Sequence, residues 1–143
     1  MKYAKDQDNN EIEIFNKKFV LKNKKRVKII INNKKYKIEE KIQNEKQIFD
    51  IKIKFLDNIL KLNSMFQDCK SLSSILNFKN LDTKYLKTIF NLFNGCSSLI
   101  YLDDISNWNI NNINDNGILG LFGECSSLKE LPDISKWNIN NIN

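Results

Sequence analysis

Apolar residues in the second half of the chain recur in phase, three times over. Phe66-x-x-Cys69-x-Ser71-Leu72-x-x-Ile75 returns as Phe93-x-x-Cys96-x-Ser98-Leu99-x-x-Leu102 and again as Phe122-x-x-Cys125-x-Ser127-Leu128-x-x-Leu131. The cysteines are separated by 27 and then 29 residues. The tract Asp104-Ile-Ser-Asn-Trp-Asn-Ile-Asn-Asn-Ile-Asn114 comes back nearly verbatim as Asp133-Ile-Ser-Lys-Trp-Asn-Ile-Asn-Asn-Ile-Asn143. A repeat on this scale sets the architecture ahead of any local propensity.

The first repeat is a degenerate copy. A shift of 27 puts Phe78 on Ile105, Leu81 on Trp108, Thr83 on Ile110 and Leu86 on Ile113. Identities drift while most of the apolar positions persist, as expected of a buried ladder. Leu99, Leu102, Ile105 and Trp108 fall every third position. A long amphipathic helix needs a mixture of three and four. A regular three-step instead predicts coils of short strands and turns, each pointing one residue inward per corner and burying its face by stacking on the next. The segments before each Cys, such as Ile118-Leu-Gly-Leu-Phe122, read as short helical or 3₁₀ turns. The two extra residues of the longer step fall near Asn116-Gly117, a turn signal.

Residues 11–55 read as strands. Ile12 and Ile14 alternate with Glu11 and Glu13, and Ile51, Ile53 and Phe55 with Lys52 and Lys54, the latter run leading into the first coil. Val27–Ile31 and Lys34–Ile38, separated by Asn32-Asn33, predict a hairpin, because Asn tolerates the positive φ of a two-residue turn. The expected fold is a β-rich α/β solenoid of leucine-rich type. It has a disordered N-terminus at 1–10, a β-hairpin cap at 11–55 and three coils at 56–143, the last reading as truncated.

The F-x-x-C-S-S-L-x-x-L and I-S-x-W-N-I-x-x-I pattern over residues 56–143 resembles the BspA-like leucine-rich repeat surface proteins. That resemblance implies a solenoid used for surface recognition or adhesion, and places a longer chain at the cell surface. Residues 1–10 are polar and hold no signal peptide, which by itself points to the cytoplasm. No run approaches the roughly 18 apolar residues of a membrane-spanning helix.

Charge divides the chain. Residues 1–57 carry 16 Lys and Arg against 9 Asp and Glu, and residues 58–143 carry 7 against 8. The basic stretch Lys17–Lys37 therefore offers an alternative function, weak binding of nucleic acid or an anionic membrane surface, through Lys24, Lys25, Arg26, Lys34 and Lys35 in particular. Tyr36 is its one residue suited to base stacking; Phe15 and Phe19 read as core. Lysine gives a point charge rather than bidentate readout, so such binding would be nonspecific. The abundance of Lys, Asn and Ile also follows from an A/T-rich codon bias, which favours a plain solvated face.

Catalytic chemistry finds no foothold. There is no His, and Asp103, Asp104 and Asp133 have no nucleophile or general-acid partner beside them. Phosphate-cradling Gly-rich loops are missing. Cys69, Cys96 and Cys125 at one repeat position read as small buried thiols; without His or a Cys-x-x-Cys pair, a metal site is disfavoured. Trp108 and Trp137 read as packing residues rather than a binding ladder, their indole N–H groups satisfied by nearby Asn. The Asn tracts at 109–116 and 138–143 read as turn chemistry. The expected function is a non-catalytic protein-interaction or scaffold module without cofactor or metal. Its partner surface is placed at Tyr101, Asp103, Asp104 and Asn107 in the second repeat, and Lys129, Glu130, Asp133 and Lys136 in the third. A non-functional repeat fragment is the remaining alternative.

Overall fold

A computed structural model of the chain describes residues 1–3, 11–43 and 50–140. Its elements are β1 (Lys2–Tyr3), β2 (Glu11–Glu13), α1 (Lys17–Asn23), β3 (Val27–Ile31), β4 (Lys34–Lys37), β5 (Lys41–Gln43), β6 (Lys52–Phe55), β7 (Leu72–Ile75), a 3₁₀ turn at Phe78–Asn80, and β8 (Tyr101–Leu102). They form three separate small sheets, ordered β1-β7-β8, β2-β5 and β4-β3-β6. No helix among the described residues is long and apolar enough to cross a membrane.

This arrangement overturns the expected solenoid. A leucine-rich coil would add one strand per repeat to a continuous parallel face. Here β7 and β8 pair in parallel over Ser74↔Tyr101 and Ile75↔Leu102 alone, and β1 lies antiparallel on the far side of β7. The third repeat contributes no strand among the described residues. Proline explains much of this. Asp103 donates its N–H to the Ile75 carbonyl at 3.0 Å. The equivalent position 29 residues on is Pro132, which has no N–H to give. Leu131 and Ile134, expected in the buried ladder, are accordingly exposed, while their counterparts Leu102 and Ile105 are buried.

What registers one repeat on the next is a ladder of turns. Leu62, Ser64, Phe66 and Asp68 donate their N–H groups to the carbonyls of Thr88, Phe90, Leu92 and Asn94. Ile89, Asn91, Phe93 and Gly95 do the same to Gly117, Leu119, Leu121 and Gly123. The intervening N–H groups close turns three residues back, as Met65 does on Leu62 and Cys69 on Phe66. Left-handed residues recur at matching positions: Ser64, Asn91 and Gly120, then Asp68, Gly95 and Glu124. They keep each of these to single turns rather than a continuous helical or 3₁₀ segment, because an L-residue helix does not propagate through left-handed φ.

Two aromatic columns run through the ladder. Phe15, Phe66, Phe93 and Phe122 stack at centroid spacings of 5.6, 5.7 and 5.7 Å. Phe78 meets Trp108 edge-on at 5.0 Å, and Trp137 stacks on Trp108. The phenyl column thus begins in the N-terminal part and joins it to the repeats.

That N-terminal part is not all strand. Asn16 accepts from the Lys18 N–H at 2.9 Å and caps α1, whose Phe19 and Val20 are buried. The β3–β4 hairpin turns at Asn32 and Asn33, with φ of 50° and 62°. β6 pairs antiparallel with β3, Ile53 opposite Ile29. Residues 1–3, expected to be disordered, are folded in: Tyr3 is fully buried, its hydroxyl donates to the Ile14 carbonyl at 2.9 Å, and β1 pairs with β7. Residues 4–10 of that expected segment lie outside the described residues.

Candidate functional site

The failure of the third repeat to pair with β8 leaves a groove. It has a volume of about 560 Å³ and lies between Ile100–Leu102 and Lys129–Asp133. No backbone hydrogen bond joins residues 99–104 to 128–133 among the described residues, so the edge of β8 away from β7 is open. The walls combine apolar and charged groups. Tyr101 and Leu131 are among the most exposed large apolar side chains, at 50% and 68%, and Pro132 adds a rigid apolar surface.

The carboxylates at the groove are held by local turns. Asp104 accepts the backbone N–H of Ser106, and Asp133 that of Ser135, both at 2.8 Å. These backbone bonds hold both carboxyls below their ordinary range, with the Ser hydroxyls and the Lys136 charge helping. Both therefore stay ionised in mild acid. The site is acid-rich: Asp104, Glu130 and Asp133 against Lys129 on the walls.

Of the residues picked out from the sequence, the groove brings together Tyr101, Asp104, Lys129, Glu130 and Asp133. Lys136 stands outside the wall but close enough to act on both aspartates. Asp103 and Asn107 do not line it; the Asp103 backbone is tied to Ile75. Leu131 and Pro132 were missed, because the repeat pattern read Leu131 as core. The one signal for them was the lone proline of the chain.

The five cations of the alternative site do not converge. Lys34 and Lys35 lie on β4, an exposed sheet edge, and Lys24 and Lys25 face solvent just after α1. Arg26 alone of the five lines a second cavity, beside Lys18 and Lys22 of α1 and Lys61 of the first repeat.

The repeat chemistry is structural in geometry. The Cys96 thiol donates to the Phe66 carbonyl at 3.0 Å and the Cys125 thiol to the Phe93 carbonyl at 3.2 Å, each reaching the preceding repeat. Burial pushes all three thiols above their ordinary range, so none is an activated nucleophile. Trp108 and Trp137 donate their indole N–H to the carbonyls of Phe78 and Ile105 at 3.1 and 3.0 Å. Backbone, not the expected Asn side chains, satisfies them. Asn109 and Asn138 instead accept the N–H two residues on, at 3.0 and 3.1 Å. No group of three or more His, Cys, Asp or Glu among the described residues is placed to hold a metal ion.

No curated protein and no solved structure matches the chain. A family model described as "Mycoplasma protein of unknown function, DUF285" matches residues 18–143, which takes in all but the first residue of α1, the hairpin and all three repeats. The chain belongs to this DUF285 family.

Proposed function

We propose that the chain is a non-catalytic protein-interaction module that engages its partner in the groove between β8 and residues 129–133. The observation carrying this reading is the open edge of β8, left unpaired because Pro132 stands where an N–H would be needed. An extended partner segment adding to such an edge gains backbone hydrogen bonds, with side-chain pockets supplying specificity. Tyr101, Leu131 and Pro132 offer apolar contact there. The acidic side chains Asp104, Glu130 and Asp133 favour a partner segment carrying Lys or Arg. The lack of His, and cysteines raised away from reactivity, support binding over catalysis.

The test is site-specific photo-crosslinking in the native cell, with the reactive residue replacing Tyr101 or Lys129 and, as controls, Lys79 or Lys84. The expected result is a discrete adduct from the groove positions that is lost in the Asp104→Ala/Glu130→Ala double variant. Equal adducts from the control positions, or adducts that survive the double variant, would refute the assignment.

A further inference from the structure

A second cavity, sharing no lining residue with the groove, lies between α1, the end of β6 and the first repeat, with a volume of about 440 Å³. That is within the roughly 300–1,000 Å³ of small-molecule sites. Its charge is one-sided. Lys18 and Lys22 stand one helical turn apart on α1, Arg26 follows four residues on, and Lys61 enters from the first repeat. Like charges at this spacing repel along a helix. The single acid in the lining, Asp57, is 3.9 Å from Arg26, with both side chains more than 60% exposed, so the pair is weak.

The rest of the lining sets apolar residues beside the polar Asn23, Asn58, Asn63 and Ser64. Phe19, Val27 and Ile59 are buried beneath the cavity, while Phe90 and Leu60 expose 38% and 39% of their surface at it. The carboxamide oxygen of Asn63 is buried there without a hydrogen-bond partner. A buried acceptor left unmade is unfavourable, and an N–H brought by a ligand would satisfy it. Cations from α1 and from the first repeat, exposed aromatic and aliphatic surface, and an orphaned acceptor describe three parts of one ligand.

We propose that this cavity binds a nucleoside monophosphate. Its phosphate lies against Lys18, Lys22, Arg26 and Lys61. The base covers Phe90 and Leu60, and a base N–H donates to Asn63 Oδ1. Sequence reading scattered these residues: Lys18, Lys22 and Arg26 lay in the basic stretch, whereas Lys61, Asn63 and Phe90 belong to the repeats. The packing of Phe15 on Phe66 brings the two sets together.

The full chain is titrated calorimetrically with adenosine, guanosine, cytidine and uridine monophosphates, with the matching nucleosides, and with inorganic phosphate. At least one mononucleotide binds more tightly than both its nucleoside and phosphate. Lys18→Ala/Lys22→Ala, at exposed positions that leave the fold intact by circular dichroism, weakens that binding by about tenfold or more, the loss of a charge-assisted contact. Asn63→Leu weakens the mononucleotide and leaves phosphate binding unchanged. Failure of all four mononucleotides to bind overturns the proposal. So does phosphate binding as tightly as the best of them, the mark of a counterion alone, and so does undiminished affinity in the double lysine variant.

Discussion

Trp137 stacks on Trp108 with ring centroids 6.5 Å apart and planes within 10°, although the strand that should precede Trp137 is missing. Its indole N–H crosses to the Ile105 carbonyl at 3.0 Å. The third repeat is therefore anchored by its tryptophan and by the phenyl column, with the groove segment spanning between those anchors. Trp137→Phe keeps a ring but loses the donor. It should cost about 1–2 kcal/mol in denaturant unfolding, and it should speed hydrogen exchange at Leu128–Trp137 more than at Leu99–Trp108. Uniform change across both repeats would contradict the anchoring.

Asn16 joins the N-terminal part to the ladder. Its side-chain oxygen caps α1, its own N–H donates to the Met65 carbonyl at 3.0 Å, and its amide nitrogen reaches the Gln67 carbonyl at 3.4 Å. Met65 and Gln67 precede the ladder donors Phe66 and Asp68, so Asn16 satisfies carbonyls facing away from the second repeat. Asn16→Ala should destabilise by about 1–2 kcal/mol. Asn16→Asp, which retains the cap, should recover most of the loss. Equal losses in both would move the effect from the cap to the Gln67 contact.

The ladder needs left-handed backbone at fixed places. Gly95 has φ of 75°, and a Cβ there would press on Asp68 of the preceding repeat. Gly95→Ala should cost roughly 1–3 kcal/mol by chemical unfolding, combining left-handed strain with crowding between repeats. Ser64→Gly relieves the same backbone strain in the first repeat and should be neutral or stabilising. A neutral Gly95→Ala would mean that the repeats separate freely.

The thiols supply a pH prediction. Burial raises the Cys69, Cys96 and Cys125 pKa values in the folded chain above the ordinary thiol range. The unfolded chain then releases thiol protons at lower pH than the folded one does. Their contribution to stability is full below about pH 9 and falls as pH rises beyond it. Cys96→Ala should flatten that alkaline loss when unfolding is followed from pH 7 to 10.5. Alkylation of the folded chain should modify half-buried Cys125 before buried Cys69 and Cys96. Preferred reaction at Cys96 would contradict the burial of the ladder.

Several local features were legible without a structure because their causes are local. The Asn32-Asn33 turn fixes the β3–β4 hairpin register by its own φ preferences, and Asn109 accepts a neighbouring N–H two residues away. The residues of the groove were legible in part: Tyr101, Asp104, Lys129, Glu130 and Asp133 stood out as polar or aromatic residues between the apolar ladder positions. The helix α1 was not. Its seven residues carry too few apolar positions to display a period, and Lys17–Asn23 alternates poorly as either element.

The sequence by itself determined that three segments repeat in phase, that Phe and Cys occupy equivalent positions in all three and Trp in the last two, and that positive charge gathers before residue 58. Repetition carries that information directly. The tertiary structure decided how the repeats join. Apolar spacing specifies which side chains face inward, but it is silent on whether the backbone between them pairs as strands or as turns. That choice rests on where each N–H finds an acceptor. Left-handed residues turn alternate N–H groups toward the next repeat, and Pro132 removes the one that would have carried the sheet past β8.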